Sequence, residues 1–212
     1  MSKVDFYTNP MSRGQIARWA LHEVGASYDE HLLDYGTTMK APDYLAINPM
    51  GKVPAIVHDG HVVTEAAAVC LYLAEAFPDA GLAPATLAEK ADCYRWMFFA
   101  AGPAEQAIVN RSMGWDVGDD MQRQARVGYG TYDRVCAALN ALFEARDYVC
   151  GDRFTIADVY VGAQIDWGLM FGSIAETPAF TAYAARLRAR DAYKAAKAID
   201  GAYIAKMQAA KT

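Results

Sequence analysis

Asn48-Pro49-Met50-Gly51-Lys52-Val53-Pro54-Ala55-Ile56-Val57 is the stretch from which the fold is read. Asn, Pro and Gly mark a turn, and glycine at 51 accepts a positive φ that a side chain resists. A β-branched residue then meets a proline, and a short apolar strand follows. Proline lacks the N–H that a strand ladder needs, so Pro54 belongs at a strand entry rather than inside a strand. A cis Val53–Pro54 bond would turn the chain and leave the Val53 N–H and C=O facing outward. An extended peptide could pair with that backbone as an added strand. A trans bond would make the same residues a plain strand entry.

The next residues, Val57-His58-Asp59-Gly60-His61-Val62-Val63, predict two strands around an Asp-Gly turn, the dipeptide that favours a type I′ hairpin. Thr64 and Glu65 then open an apolar helix, Ala66 to Ala74. A carboxylate in a first helical turn complements the helix dipole, and from the same place it can face a ligand's ammonium group. His58 and His61 flank the hairpin turn, but zinc takes three or four ligands and no Cys or third His lies nearby in sequence, so no metal is expected.

Taken together, Asn48 to Pro54 and Glu65-Ala66-Ala67-Ala68-Val69 resemble the glutathione transferase family, which carries Asn-Pro-x-Gly-x-Val-Pro, a hairpin and an acidic helix start. The resemblance implies an α/β, thioredoxin-like N-terminal domain followed by an all-helical C-terminal domain. It further implies a cis proline at Pro54, with the Val53 backbone pairing with the cysteinyl part of glutathione. Glu65 and position 66 would hold the γ-glutamyl end, and the family has serine where this chain has Ala66, so one hydrogen bond to the tripeptide is missing. Lys52, directly after the motif, and Lys40, on looser spacing, stand near the places that bind the glycine carboxylate. Lys40 reads more readily as a solvated surface lysine.

Upstream, Lys3 to Thr8 predicts a first strand ended by Asn9-Pro10, and Met11 to Leu21 a helix stopped by Gly25. Ser12 with Gln15 has capping-box spacing, and Met11 with Ile16 the staple positions around it. A Ser opening the first helix after a strand bearing Tyr also resembles the serine-type transferases, in which the hydroxyl donates to the glutathione thiolate. A thiol of pKa about 8.5 is mostly protonated at neutral pH, and each unit of lowering corresponds to ~1.4 kcal/mol in favour of the thiolate. Cap and thiolate donor therefore both stand as readings of Ser12. Tyr7, inside the strand, is the rival donor. None of the four cysteines lies in this loop, which sets aside the thiol-transfer chemistry of related families.

Tyr28 to Leu33 predicts a second strand and Lys40 to Ile47 a short helix. Residues 1–78 thus form the expected glutathione-binding domain, 79–86 a Pro- and Gly-bearing linker, and 87–212 the helical domain. Glu89 to Asn110 predicts one helix kinked at Gly102-Pro103, and Met121 to Arg146 another. Thr155 and Asp158, with Phe154 and Val159 around them, make a capping box with its staple. After Gly151-Asp152-Arg153 this resembles the buried capping motif of the transferase C-terminal domain. The Ala/Lys-rich tail from Tyr193 is expected to fray.

Composition sets outer limits. At 212 residues, roughly 70% of the unfolded chain's surface is buried on folding. Twenty Lys and Arg against 25 Asp and Glu give a net charge of −5, which argues against nucleic acid or an anionic membrane as partner. No stretch approaches the ~20 apolar residues of a membrane span. Cys70, Cys93, Cys136 and Cys150 form no Cys-x-x-Cys and read as free thiols, which points to the cytoplasm.

The function these observations imply is a glutathione transferase that stabilises the glutathione thiolate for attack on a small hydrophobic electrophile. Peroxide reduction and dehalogenation are related outcomes. Glutathione is then a co-substrate, and the resemblance implies a homodimer in which the helix after Glu65 meets the partner's Glu89 to Asn110 helix. The alternative is a non-catalytic, transferase-like binding or interaction module, which Ala66 favours.

Overall fold

The computed structural model describes residues 3–115 and 117–210. The chain divides into two compact units, Met1–Ala83 with Arg188–Thr212, and Pro84–Leu187. In the first, β1 (Val4–Thr8), α1 (Gly14–Glu23), β2 (Tyr28–Leu32), α2 (Pro42–Leu45), β3 (Ala55–His58), β4 (His61–Thr64) and α3 (Ala66–Ala76) follow one another. The sheet order is β2-β1-β3-β4, with β1 parallel to β2 and antiparallel to β3, and β3 antiparallel to β4. This is the mixed sheet of a thioredoxin-like domain. The predicted hairpin forms, with Asp59 at φ 50° and Gly60 at φ 79°, the pair of positive values that a type I′ turn requires.

The two faces of β1 are buried differently. Val4 and Phe6 are fully enclosed, as are Ile16, Ala17, Ala20 and Leu21 of α1 and Val69, Cys70 and Leu73 of α3. Each large apolar side chain so enclosed contributes about 1.5–3 kcal/mol. On the opposite face, half-buried Tyr7 packs with Val53 and Ile47 against Met39, Tyr44 and Ala55.

The tail does not fray. Asp191–Ala209 is a helix, α10, in the same unit as the sheet. Buried Arg18 of α1 donates to Asp200 at 3.0 Å and to the Tyr28 hydroxyl at 3.1 Å, and it is ion-paired with Glu30. Arg190 grips Glu23 with two bonds of 2.6 Å, the bidentate geometry that only a guanidinium offers. Buried charges of this kind fix where a helix docks more than they add net stability.

The second unit is helical: α4 (Leu87–Phe99), α5 (Glu105–Ser112), α6 (Met121–Arg126), α7 (Tyr132–Ala145), α8 (Ile156–Phe171) and α9 (Pro178–Arg188). The expected kink is a π-helical turn over Ala100–Ala104 that contains Gly102 and Pro103. The helix expected from Met121 to Arg146 is two helices, broken around Gly130 at φ 66°. α8 is buried on every side over most of its length, as befits the central helix of a bundle. Its start is tied by Asp158, whose carboxylate accepts the N–H groups of Thr155 and Val149, both at 2.8 Å, and the Tyr183 hydroxyl at 2.9 Å. No helix among the described residues is long and apolar enough to cross a membrane.

Candidate functional site

Strand register brings three separate segments to one end of the sheet. Tyr7 pairs with Ala55, and Ala55 pairs with Thr64. Ser12 follows Tyr7 by a short loop, Val53 precedes Ala55 by two residues, and Glu65 follows Thr64 directly. Residues distant in sequence therefore leave the sheet at the same edge, a convergence set by backbone pairing rather than by side-chain chemistry.

The Asn48–Pro54 loop is held from within. Asn48 Oδ1 accepts the Met50 N–H at 3.1 Å, while Asn48 Nδ2 and the Tyr44 hydroxyl both donate to the Lys52 carbonyl, at 2.8 and 2.5 Å. The carbonyl before Val53 is thus fixed twice, and the Val53–Pro54 bond is cis. Among the described residues the Val53 N–H and C=O make no hydrogen bond, so both are open to pair with an extended ligand. Gly51 sits at φ 56°, where a Cβ would lie 2.7 Å from the Met39 carbonyl oxygen and 2.8 Å from Lys40 Nζ. That is too close for any side chain. Lys40 is exposed, and its Nζ donates to Gly51 O at 2.7 Å, so its ammonium is tied to this loop. Lys52 is exposed.

Glu65 stands at φ 64°, ψ 117°, outside the regions open to an L-residue without strain. Such a backbone costs of order 1–3 kcal/mol and persists only where its surroundings impose it. The Glu65 carbonyl accepts the Val69 N–H at 2.9 Å. The N–H groups of Ala66, Ala67 and Ala68 therefore remain the orphan donors of the α3 N-terminus, at the positive end of the dipole. The Glu65 side chain is exposed and that of Ala66 is buried.

Ser12 does not cap a helix in the expected way. α1 begins at Gly14, with Arg13 at the N-cap. The Ser12 hydroxyl donates to Asn9 O at 2.6 Å and accepts the Gly14 N–H at 2.9 Å. Gln15, the expected partner in the box, instead donates from Nε2 to Pro10 O at 2.6 Å and receives Lys197 Nζ at 2.7 Å. The reason lies at Gly14, where a Cβ would fall 2.0 Å from Thr8 Oγ1, so the loop packs directly onto the end of β1. A hydroxyl has one proton, and here Asn9 receives it.

Tyr7 is placed differently. Its ring stacks on His31 at 4.5 Å and lies 5.5 Å from Tyr44. Burial, aided by Asp5, pushes its phenol up, so the hydroxyl keeps its proton at neutral pH.

The sequence marks Asn9 and Asn48 as turn residues but does not convey the hydrogen bonds by which they and Tyr44 hold these loops. A signal was present for the two asparagines. Asn9-Pro10-Met11 repeats as Asn48-Pro49-Met50, and in both copies the Asn Oδ1 accepts the N–H two residues on, at 2.9 and 3.1 Å. These are Asx turns, the local bond by which Asn fixes a loop. Tyr44 gives no such signal. His58, which with His61 flanks the hairpin turn, is buried with Nδ1 3.0 Å from the Tyr72 hydroxyl and is part of the core.

Residues 11–76 match the family description "Glutathione S-transferase, N-terminal domain", and residues 122–191 match "Glutathione S-transferase, C-terminal domain". A glutathione S-transferase of Xanthomonas campestris is 32% identical over 61% of this chain and 66% of its own length. One from Escherichia coli O157:H7 is 29% identical over 59% of this chain and 61% of its own. The chain thus spans less than two thirds of either relative. A solved sphingomonad glutathione S-transferase, complexed with glutathione, superposes with a TM-score of 0.75 at 29% identity, over 93% of this chain and 98% of that one. The chain belongs to the glutathione transferase family.

Proposed function

We propose that the chain binds glutathione at this end of the sheet, stabilises its thiolate with Ser12, and transfers the sulfur to a small hydrophobic electrophile. The observation that supports this is the register Tyr7–Ala55–Thr64, by which the strands next to the Ser12 loop, the open Val53 backbone and the α3 N-terminus end together. Val53, held behind cis Pro54, pairs with the cysteinyl backbone as an added strand. The Ala66 N–H and the α3 dipole take the γ-glutamyl carboxylate, and Glu65 takes the ammonium. Lys52 meets the glycine carboxylate, while Lys40 supports the loop through Gly51.

The thiol proton leaves to solvent, and Ser12 turns its O–H from Asn9 to the thiolate. The sulfur then forms its bond to the electrophilic carbon as the leaving group departs with the electron pair. Positioning and thiolate stabilisation supply the rate enhancement. Four free cysteines accord with a cytoplasmic setting. Leu87, Tyr94 and Phe98, exposed along one side of α4 at 85, 49 and 72%, support a homodimer that covers them. Light scattering at twice the 23.1 kDa chain mass is the corresponding result.

Glutathione at saturation should raise the thermal midpoint, because it binds the folded state alone. An unmoved midpoint would favour the second reading, a transferase-like interaction module, to which Ala66 in place of the family's serine already points.

A further inference from the structure

We propose, building on the reading of Ser12 as the thiolate donor, that Lys197 of α10 is a positioning residue for the Ser12 hydroxyl, acting through Gln15 on the Pro10–Met11 peptide group. Lys197 Nζ donates to Gln15 Oε1 at 2.7 Å, and Gln15 Nε2 donates to the Pro10 carbonyl at 2.6 Å. The other end of that peptide group is held as well, because the Met11 N–H donates to Asn9 Oδ1 at 2.9 Å. These residues form a turn, closed by the Ser12 N–H on Asn9 O at 3.1 Å. The central peptide of a turn can rotate while the closing bond stays intact, as the difference between turn types shows. Here it is gripped at both ends, so the direction in which Met11 leads into Ser12 is fixed.

The charge at 197 decides which way the Gln15 amide faces. An ammonium is a donor only, whereas an amide has one accepting and one donating end. With Lys197 on Oε1, the NH2 end is left to face Pro10 O. Without that charge the amide can turn and set its oxygen against the carbonyl. A charged donor also shortens and strengthens its own bond and polarises the amide toward the next one. Lys197 is itself well placed for this, because α10 is anchored to α1 and β2 at several points. Trp19 and Tyr193 meet edge to face with ring centroids 5.1 Å apart, Arg18 donates to Asp200, and the Tyr203 hydroxyl donates to Glu30 at 2.6 Å. The Lys197 side chain is half-buried, with Nζ 5.5 Å from the centre of the Tyr193 ring.

The grip matters most when Ser12 works. At rest the Ser12 hydroxyl and N–H both donate to Asn9 O, at 2.6 and 3.1 Å. Once the O–H turns to the thiolate, the first of these bonds is gone from the loop. The bonds of Gln15 and of Asn9 Oδ1 to the Pro10–Met11 peptide then remain to keep Ser12 in place. A donor whose position is set before the charge develops stabilises that charge without reorganising.

The bound glutathione thiolate is titrated by ultraviolet absorbance in the full chain and in Lys197→Met, Lys197→Arg, Gln15→Met and Ser12→Ala, and in Ser12→Ala combined with Lys197→Met. Lys197→Met should raise the pKa of the bound thiol by about half a unit, a roughly threefold lower ratio of thiolate to thiol. Turnover at neutral pH should fall to match while the glutathione KM stays within about twofold. Lys197→Arg, which keeps a charged donor, should restore both. Gln15→Met breaks the relay without changing charge and should shift the thiol as far. In the Ser12→Ala background Lys197→Met should add nothing, the coupling expected of residues that act through one another. Without any glutathione, the Met11 N–H should exchange with solvent several-fold faster in Lys197→Met and in Gln15→Met. A thiol or an exchange rate unmoved by these two variants, while Ser12→Ala does shift the thiol, overturns this proposal alone. So does a Lys197→Met shift that persists in full without the Ser12 hydroxyl, since a distant charge would produce that. A bound thiol that Ser12→Ala leaves in place overturns the reading of Ser12 and this proposal with it. Gln15→Met decides the matter where Lys197→Met fails to fold.

Discussion

Replacing Asp158 by alanine removes the acceptor on which the start of α8 depends. The carboxylate takes three donors at 2.8–2.9 Å: the Thr155 N–H, the Val149 N–H and the Tyr183 hydroxyl. All are enclosed, and Asp158 itself is fully buried. Each of the two buried backbone N–H groups left unpaired costs about 1–3 kcal/mol. The Tyr183 hydroxyl loses its acceptor as well. Against this, burial pushes the Asp158 carboxyl up to about 6, so its ionised form carries a desolvation cost at pH 7 that alanine escapes. The balance is a loss of about 3–5 kcal/mol, a large share of the 5–15 kcal/mol typical of a folded domain. Asp158→Asn, which keeps one acceptor oxygen but sets an NH2 against a donor, should lose about half as much. Urea unfolding followed by circular dichroism reads both, as a lower midpoint with little change in slope. A loss below ~1 kcal/mol for the alanine variant would mean that the donors find other partners and that Asp158 does not hold the turn before α8.

Ala66→Ser should tighten glutathione roughly tenfold, since one added donor to a charged acceptor gains about 1.5 kcal/mol and the helix-propensity loss is a few tenths. Unchanged affinity in a calorimetric titration would mean that position 66 does not face the ligand. Stability against pH should peak on the acid side, between about 4.5 and 6. Burial pushes Asp158 and Asp200 up to about 6 from 3.8, so both bind protons more readily folded than unfolded, and their contribution grows as pH falls from 7 toward 4. His22, lowered by burial, opposes them. Glu89, held down to about 2 by Arg153, loses its contribution as pH falls below 4.5. A midpoint that falls steadily from pH 7.5 to 5 would contradict the two carboxyl assignments.

What the sequence conveyed about this fold follows from the range of its interactions. Asp59-Gly60 specifies its turn through the φ values of two adjacent residues, and Gly102-Pro103 its helix break through a missing donor, so both were legible. α10 was not. Its Ala/Lys composition reads as a fraying tail, while its docking depends on Arg18 meeting Asp200 across 182 positions. Ser12 lies between these cases. Its spacing to Gln15 permits a capping box, and the contact of Thr8 with Gly14, invisible to local patterns, sets the turn instead. The convergence of Ser12, Val53 and Glu65 was available only through the family resemblance, because strand register is a tertiary fact that no spacing along the chain encodes.

The central claim is that this site holds glutathione as a thiolate through the Ser12 hydroxyl. Ultraviolet absorbance of the bound thiolate, titrated against pH in the unsubstituted chain, in Ser12→Ala and in Tyr7→Phe, tests it most directly. The bound thiol should titrate below the free value of about 8.5, Ser12→Ala should return it toward that value while leaving affinity largely intact, and Tyr7→Phe should leave it in place. A thiol that titrates at its free value in the unsubstituted chain, or one that moves with Tyr7→Phe and not with Ser12→Ala, would contradict the assignment.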